Sequence, residues 1–178
     1  MPGLVVTQRP ARPADQDFLM RVFASTRTAE LAPFRGDAAA SHAFVRMQFL
    51  AQSRCYQQHG PASRDAVVEV VWRGITLRVG RLWTDRLANS IHLLDIALLP
   101  EWRGQGVGSV CLQRLQHQAA QRQQALTLQV RQGNPARRLY ERLGFCCTGP
   151  QVELHQGMKW RRAEGAPCVR KESCDEQA

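Results

Sequence analysis

The chain has 178 residues, 44% of them hydrophobic, which suits one domain with a substantial core. No stretch nears the ~20 consecutive apolar residues that cross a bilayer, so the sequence excludes a helical membrane span. Its 24 basic residues against 15 acidic give a formal net charge of +9; the arginines are scattered and no nucleic-acid motif interleaves aromatics with them, so a nucleic-acid partner is disfavoured, a polyanionic cofactor would be drawn equally, and a solvated, arginine-rich surface accounts for most of the charge.

In chain order, "LVVTQRP" (4–10) reads as a first strand. Pro13 to Thr28 reads as a helix with Phe18, Leu19, Val22 and Phe23 on one side. Pro33 and Gly36 break "LAPFRGD" into a loop, and a second helix runs from Ala38 to about His59, with Phe44, Met47, Ala51 and Cys55 at helical spacing. "GP" at 60–61 stops it. Residues 65–83 form a hairpin, two β-branched runs around "RG" at 73–74. "SIHLLDIALL" (90–99) is a nearly continuous apolar strand, the pattern of a buried one.

After that strand come glycines at three alternate positions, then a helix to about Gln124 with the stripe Val107, Cys111, Leu115 and Ala119. "ALTLQV" (125–130) is a strand, and "NPARRLYERLGF" (134–145) is a helix capped by asparagine, with proline first and glycine at its end. "CCTG" and "VELHQGMKW" supply two last strands. The domain is expected over residues 1–162, with 163–178 a polar tail. The six cysteines make no C-x-x-C pair and complete no zinc pattern with the histidines, so free thiols and no metal are expected. The start "MPGLVVTQRP" lacks the basic lead and long apolar run of a signal peptide, which points to the cytoplasm.

The informative stretch is "LLDIALLPEWRGQGVGSV" (93–110). Glycine lets backbone approach what a Cβ would hold off. A helix starting there adds unpaired N–H groups and the positive end of its dipole. Together these describe a phosphate site. No lysine follows the glycines, which excludes a P-loop, and the G-x-G-x-G spacing is not the dinucleotide fingerprint.

"DIALLPEWRGQGVGSVCLQRL" followed by "LQVRQGNPARRLYERLGF" resembles the two central motifs of the GNAT superfamily of acyl-CoA-dependent N-acetyltransferases. Arg103, Gly106 and Gly108 stand at the defining positions of its R/Q-x-x-G-x-G/A loop. The resemblance implies a mixed α/β fold in the order β-α-α-β-β-β-α-β-α-β-β, a mostly antiparallel sheet flanked by helices, with the fourth and fifth strands splayed. It implies acetyl-CoA as co-substrate and a small-molecule or protein amine as acceptor, and leaves a homodimer open. The pyrophosphate would sit on Arg103, Gly104, Gln105, Gly106, Val107, Gly108 and Ser109. The pantetheine arm would lie along Ile96, Ala97 and Leu98, with Asn134 also touching it, and an N–H of that strand would polarise the thioester carbonyl.

Tyr140 matches the family's general acid. The family's frequent glutamate base is replaced by Gln129, so Asp95 is the candidate base, with His92 and Glu69 as further imidazole or carboxylate options. Phe34, Arg35, Asp37 and His42 are candidates to line the acceptor pocket, built from about 25–45 and 148–160. The Gln129 departure also keeps a second reading, a degenerate acyl-CoA sensor or scaffold, and the basic charge a third, a nucleic-acid-associated protein on the same fold.

Overall fold

The computed structural model describes residues 4–34, 36–60 and 62–162; the expected tail, Arg35 and Pro61 lie outside the described residues. Seven strands form one sheet: β1 (Val5–Pro10), β2 (Ser63–Trp72), β3 (Ile75–Arg86), β4 (Ser90–Leu98), β5 (Ala125–Arg131), β6 (Cys146–Cys147) and β7 (His155–Trp160). Their order across the sheet is β1-β2-β3-β4-β5-β7-β6. Every pairing is antiparallel except β4 with β5. The four α-helices are α1 (Gln16–Ala24), α2 (Ala38–Gln57), α3 (Val107–Gln121) and α4 (Ala136–Arg142). Among the described residues, no helix is long and apolar enough to cross a membrane.

Two features of register position the site. Between β3 and β4, Trp83 faces Asp95 and Thr84 faces Leu93, so Leu94 is the extra residue of a bulge. The parallel pairing of β4 with β5 covers only Ser90–Leu93 against Ala125–Leu128. Beyond that point the two strands continue without pairing, which leaves the expected splay. The bulge frees the Leu94 carbonyl, which accepts the Tyr56 hydroxyl of α2 at 3.2 Å.

The two sheet faces have separate cores. The α3 side holds Val68, Val70, Leu82, Ile91, Leu93 and Leu126, packed with Cys111, Leu112 and Leu115. The α1/α2 side holds Phe18, Val22, Phe23, Val45 and Phe49 over Val67 and Ala97. Asp15 anchors the start of α1: it takes Arg9 through two bonds at 2.6 and 2.8 Å, and Arg78 at 3.1 Å. These cations hold its carboxyl far below the usual carboxylate range.

Three expectations need correction. The first helix is shorter than 13–28, a 3-10 turn over Pro13–Asp15 preceding the α-helix. The buried stripe of α2 is Val45 and Phe49, while Met47 is 61% exposed and Cys55 is exposed. Two apolar stripes interleave on this helix, and the one that also carries Tyr56 faces the sheet because its hydroxyl finds the freed Leu94 carbonyl. Cys55 and Cys111 are free thiols, but Cys146, half-buried on the edge strand β6, is disulfide-bonded.

Candidate active site

From Leu98 the chain passes through a 3-10 turn, Pro100–Trp102, into the glycine loop, and α3 begins at Val107. Gly104 (φ +72°) and Gly106 (φ +83°) hold left-handed backbone, which costs a residue with a Cβ about 1–2 kcal/mol. A Cβ on either would meet nothing within 4 Å, so open space lies against the loop. Among the described residues, no backbone carbonyl accepts the N–H of Gly104, Gln105 or Gly106. The N–H groups of Val107, Gly108 and Ser109 belong to the first helical turn and have no intrahelical acceptor. The loop thus presents consecutive donors at a dipole's positive end. Gly108 differs: a Cβ there would sit 3.5 Å from the Leu139 side chain, so its small size serves the approach of α3 to α4.

Arg103 is committed to protein. Its Nε donates to the Leu98 carbonyl at 2.8 Å, and its Nη2 donates to the Ser25 carbonyl at 3.1 Å and hydroxyl at 2.9 Å. The residue therefore ties the end of β4 to the end of α1. Gln105 folds back, its amide donating to the Glu101 carbonyl.

At the splay, Asp65, Trp83 and Asp95 occupy one cross-strand row, with Val67, Arg81 and Ala97 in the next. Side chains in such rows share a face. Burial raises the Asp95 carboxyl to about 6, against the opposing pull of Arg81 and Arg27 and the nearby Ile96 N–H. Tyr140, on α4, is 6% exposed and stacks edge-on against Phe145 with ring centroids 5.7 Å apart. Burial, with the Asp95 charge second, raises its phenol to about 12. The same two causes raise Tyr56 to about 12. Both phenols thus stay protonated at neutral pH, and the Asp95 charge helps raise each of them.

The other candidates separate clearly. Glu69 sits on β2 and pairs with Arg9 at 2.8 Å, two strands from β4, which removes it as a base. His92 lies where β4 and β5 are still paired, its Nδ1 2.9 Å from the Thr127 hydroxyl, and burial lowers its pKa. Gln129 is exposed on β5, opposite Gly157. Asn134 starts α4: its side-chain oxygen accepts the Ala136 N–H at 2.9 Å. Of the acceptor-pocket candidates, Asp37 caps α2 by accepting the Ala40 N–H at 2.9 Å, Phe34 stacks on Phe44 at 4.9 Å, and His42 is exposed. Sequence reading missed Tyr56 and Arg81; a tyrosine in line with the apolar pair Val45 and Phe49 and an arginine inside an apolar strand were the available signals.

Residues 66–147 match the family model described as an acetyltransferase (GNAT) domain. Over that segment the chain is similar to a GNAT domain. Solved structures with the same fold include the PaiA N-acetyltransferase of Thermoplasma acidophilum in complex with coenzyme A, at 15% identity over 89% of this chain and 99% of that one, TM-score 0.63. An acetyltransferase of Thermus thermophilus is 20% identical over 89% and 97%, TM-score 0.62. A Corynebacterium glutamicum protein described as histone acetyltransferase HPA2 and related acetyltransferase is 23% identical over the same shares, TM-score 0.61. No curated protein matches the sequence. The matched GNAT segment runs from β2 to β6 and contains the loop, the splay, Asp95 and Tyr140.

Proposed function

We propose that residues 1–162 act as one acyltransferase domain that moves an acetyl group from acetyl-CoA to a primary amine of a small molecule or protein. The observation that carries this reading is the loop of unpartnered N–H groups from Gly104 to Ser109 that follows a β4 left unpaired by β5 beyond Leu93. Acetyl-CoA supplies the acetyl group as an activated thioester. The open space against Gly104 and Gly106 fits its pyrophosphate, held by backbone N–H groups from Gly104 to Ser109. Beyond Leu93, β4 has no strand partner on the β5 side, so Ile96, Ala97 and Leu98 are free to take the pantetheine arm, and Asn134 meets it from α4.

Asp95 is the base in this reading. It is mostly ionised above pH 6, and burial makes it a better proton acceptor than an ordinary aspartate. Tyr140 keeps its proton at neutral pH and gives it to the departing sulfur. Gln129 leaves no carboxylate on β5, and Asp95 answers that gap from the other side of the splay.

The test is acetyl-CoA turnover over a panel of amines, read as free thiol, beside calorimetric titration with CoA. Thiol release with at least one amine is expected, and Gly106→Val should abolish CoA binding by filling the open space with a branched side chain on left-handed backbone. CoA binding without turnover across the panel would favour the sensor reading instead.

A further inference from the structure

Beneath the C-terminal half of α3 the sheet leaves a cavity of about 190 Å³, walled by the end of β1, the start of β2, the end of β3 and, from the helix, Leu115 and Gln118. It contains no residue of β4, β5 or the glycine loop. At about 1.5 Å per residue, Gln118 lies about 16 Å along the helix axis from Val107, so the cavity sits at the far end of α3 from the loop.

Leu82, Thr84 and Arg86 alternate along β3 onto this face, and Arg64 of β2 stands opposite Thr84. All four line the cavity. Arg86 is half-buried, and its Nη2 donates to the Gln118 side-chain oxygen at 2.9 Å, which fixes the plane of the guanidinium. Its Nε and Nη1 have no acceptor among the described residues, and unlike Arg81 Nη1 neither is enclosed, so both are open to a ligand. The Thr84 hydroxyl is likewise without a partner among the described residues and is not enclosed.

Charge narrows the ligand. Arg122 ends α3 one turn beyond Gln118 and is exposed, as is Arg64. Burial lowers the Arg86 pKa first, the Arg122 and Arg64 charges lower it further, and no carboxylate raises it. The lining has one carboxylate, Asp65, and both its oxygens are bonded to Arg81. Arg9, also in the lining, is committed to Asp15 and Glu69. Guanidinium groups that the fold gathers without a countercharge repel one another, and an anion between them reverses the sign of that interaction. Two open nitrogens in one guanidinium plane match two oxygens of a phosphate, and the surrounding cations favour a dianion over a single negative charge.

We propose that this cavity is a phosphate site separate from the glycine loop, taking inorganic phosphate or the phosphate of a small monoester. Arg86 Nε and Nη1 and the Thr84 hydroxyl hold it, in the field of Arg64 and Arg122. The site stands whether or not the domain proves to be an acetyltransferase.

The test titrates inorganic phosphate and, separately, glycerol phosphate, with ionic strength held constant by chloride. NMR follows the Arg86 Nε–H and the Gln118 side-chain amide, which should shift saturably. The Gly106 N–H reports any phosphate at the glycine loop, and Arg86→Gln should leave its response as in wild type. Arg86→Gln, read at Gln118, should weaken binding at least about tenfold, the usual worth of a charge-assisted bond. Thr84→Val should weaken it about fivefold, as expected for one hydrogen bond. If Arg86→Gln fails to fold, Thr84→Val decides alone. Saturation by both probes assigns the site to a monoester, and saturation by inorganic phosphate alone assigns it to the free ion. Shifts that do not saturate with either probe, or affinity unchanged in Arg86→Gln or in Thr84→Val, would each overturn the proposal.

Discussion

On the α3 side, the strands present Val68, Val70, Leu82, Ile91 and Leu93 to Cys111, Leu112 and Leu115. On the α1/α2 side, intervening positions of the same strands present Asp65, Arg81, Trp83, Asp85 and Asp95. The contrast is sharpest on β3, where Arg81, Leu82 and Trp83 alternate between the two. The α3 face is packed mainly from apolar side chains, with Gln8 Nε2 a buried polar atom left without a partner among them. The α1/α2 face keeps groups whose hydrogen bonds are partly unmet, Arg81 Nη1, Asp85 Oδ1 and the Gln52 oxygen among them. A sheet with one such face needs the other to supply cohesion, and that division lets chemistry sit on a rigid element.

If the division is real, substitutions on the two faces should separate activity from stability. Asp95→Asn should cost the most in activity, about 10²–10³-fold in kcat/KM, as expected for lost general base catalysis. The wild-type rate should rise with pH through about 6, and that limb should vanish in the variant. Stability should move the other way. A folded pKa raised from 3.8 to about 6 makes ionised Asp95 a penalty that sets in as pH rises from about 4 and is complete above 6. Chemical denaturation should therefore find Asp95→Asn at least as stable as wild type at pH 7, with its advantage gone at pH 4. A marked loss of stability at pH 7 would break the comparison.

Leu112→Ala, on the fully buried α3 side, should do the reverse. It should lower unfolding free energy by about 2–5 kcal/mol, with kcat of the folded protein within about twofold. Tyr140→Phe comes next: it removes one proton and keeps the ring against Phe145, so kcat should fall about tenfold to a hundredfold, the low end for acid catalysis because a thiolate leaves tolerably alone. CoA affinity should hold, and an unchanged kcat in single-turnover measurements would reduce Tyr140 to a packing residue. The smallest effect belongs to the tie between the glycine loop and α1. Arg103→Ala should weaken CoA binding about fivefold, the worth of an ordinary hydrogen bond, and Ser25→Ala should add little to it in a double-mutant cycle. Additive losses would mean that Arg103 acts on the phosphates directly.

Elements with local punctuation were legible in the sequence. Gly104 and Gly106 announced a loop that runs into a helix, and Asn134 with Pro135 announced α4, because caps and left-handed turns are written in residues a few positions apart. The stripe of α3 was legible because one face only is apolar, whereas α2 carries two candidate stripes and the choice depends on a carbonyl 38 residues away in sequence. The same limit applies to Arg103, which reads as a phosphate ligand until Ser25 arrives from 78 positions upstream. Asp95 could be named as a candidate from its place beside the splay. Its raised pKa could not, because that depends on how deeply tertiary packing buries it. The bulge at Leu94 has no local marker at all.

The single parallel seam has a consequence for how the molecule comes apart. Hairpins β2–β3 and β3–β4 close over short turns, whereas β5 reaches β4 only after α3 and meets it at four register positions. Long closures with few rewards tend to form late in folding. The β5–β7–β6 half should therefore dock last and leave first. A ligand that grips both sides of the seam stabilises contacts absent from the transition state, so it should slow unfolding while leaving the folding rate almost untouched. The lifetime of the native state, and with it resistance to proteolysis, would then follow the supply of that ligand.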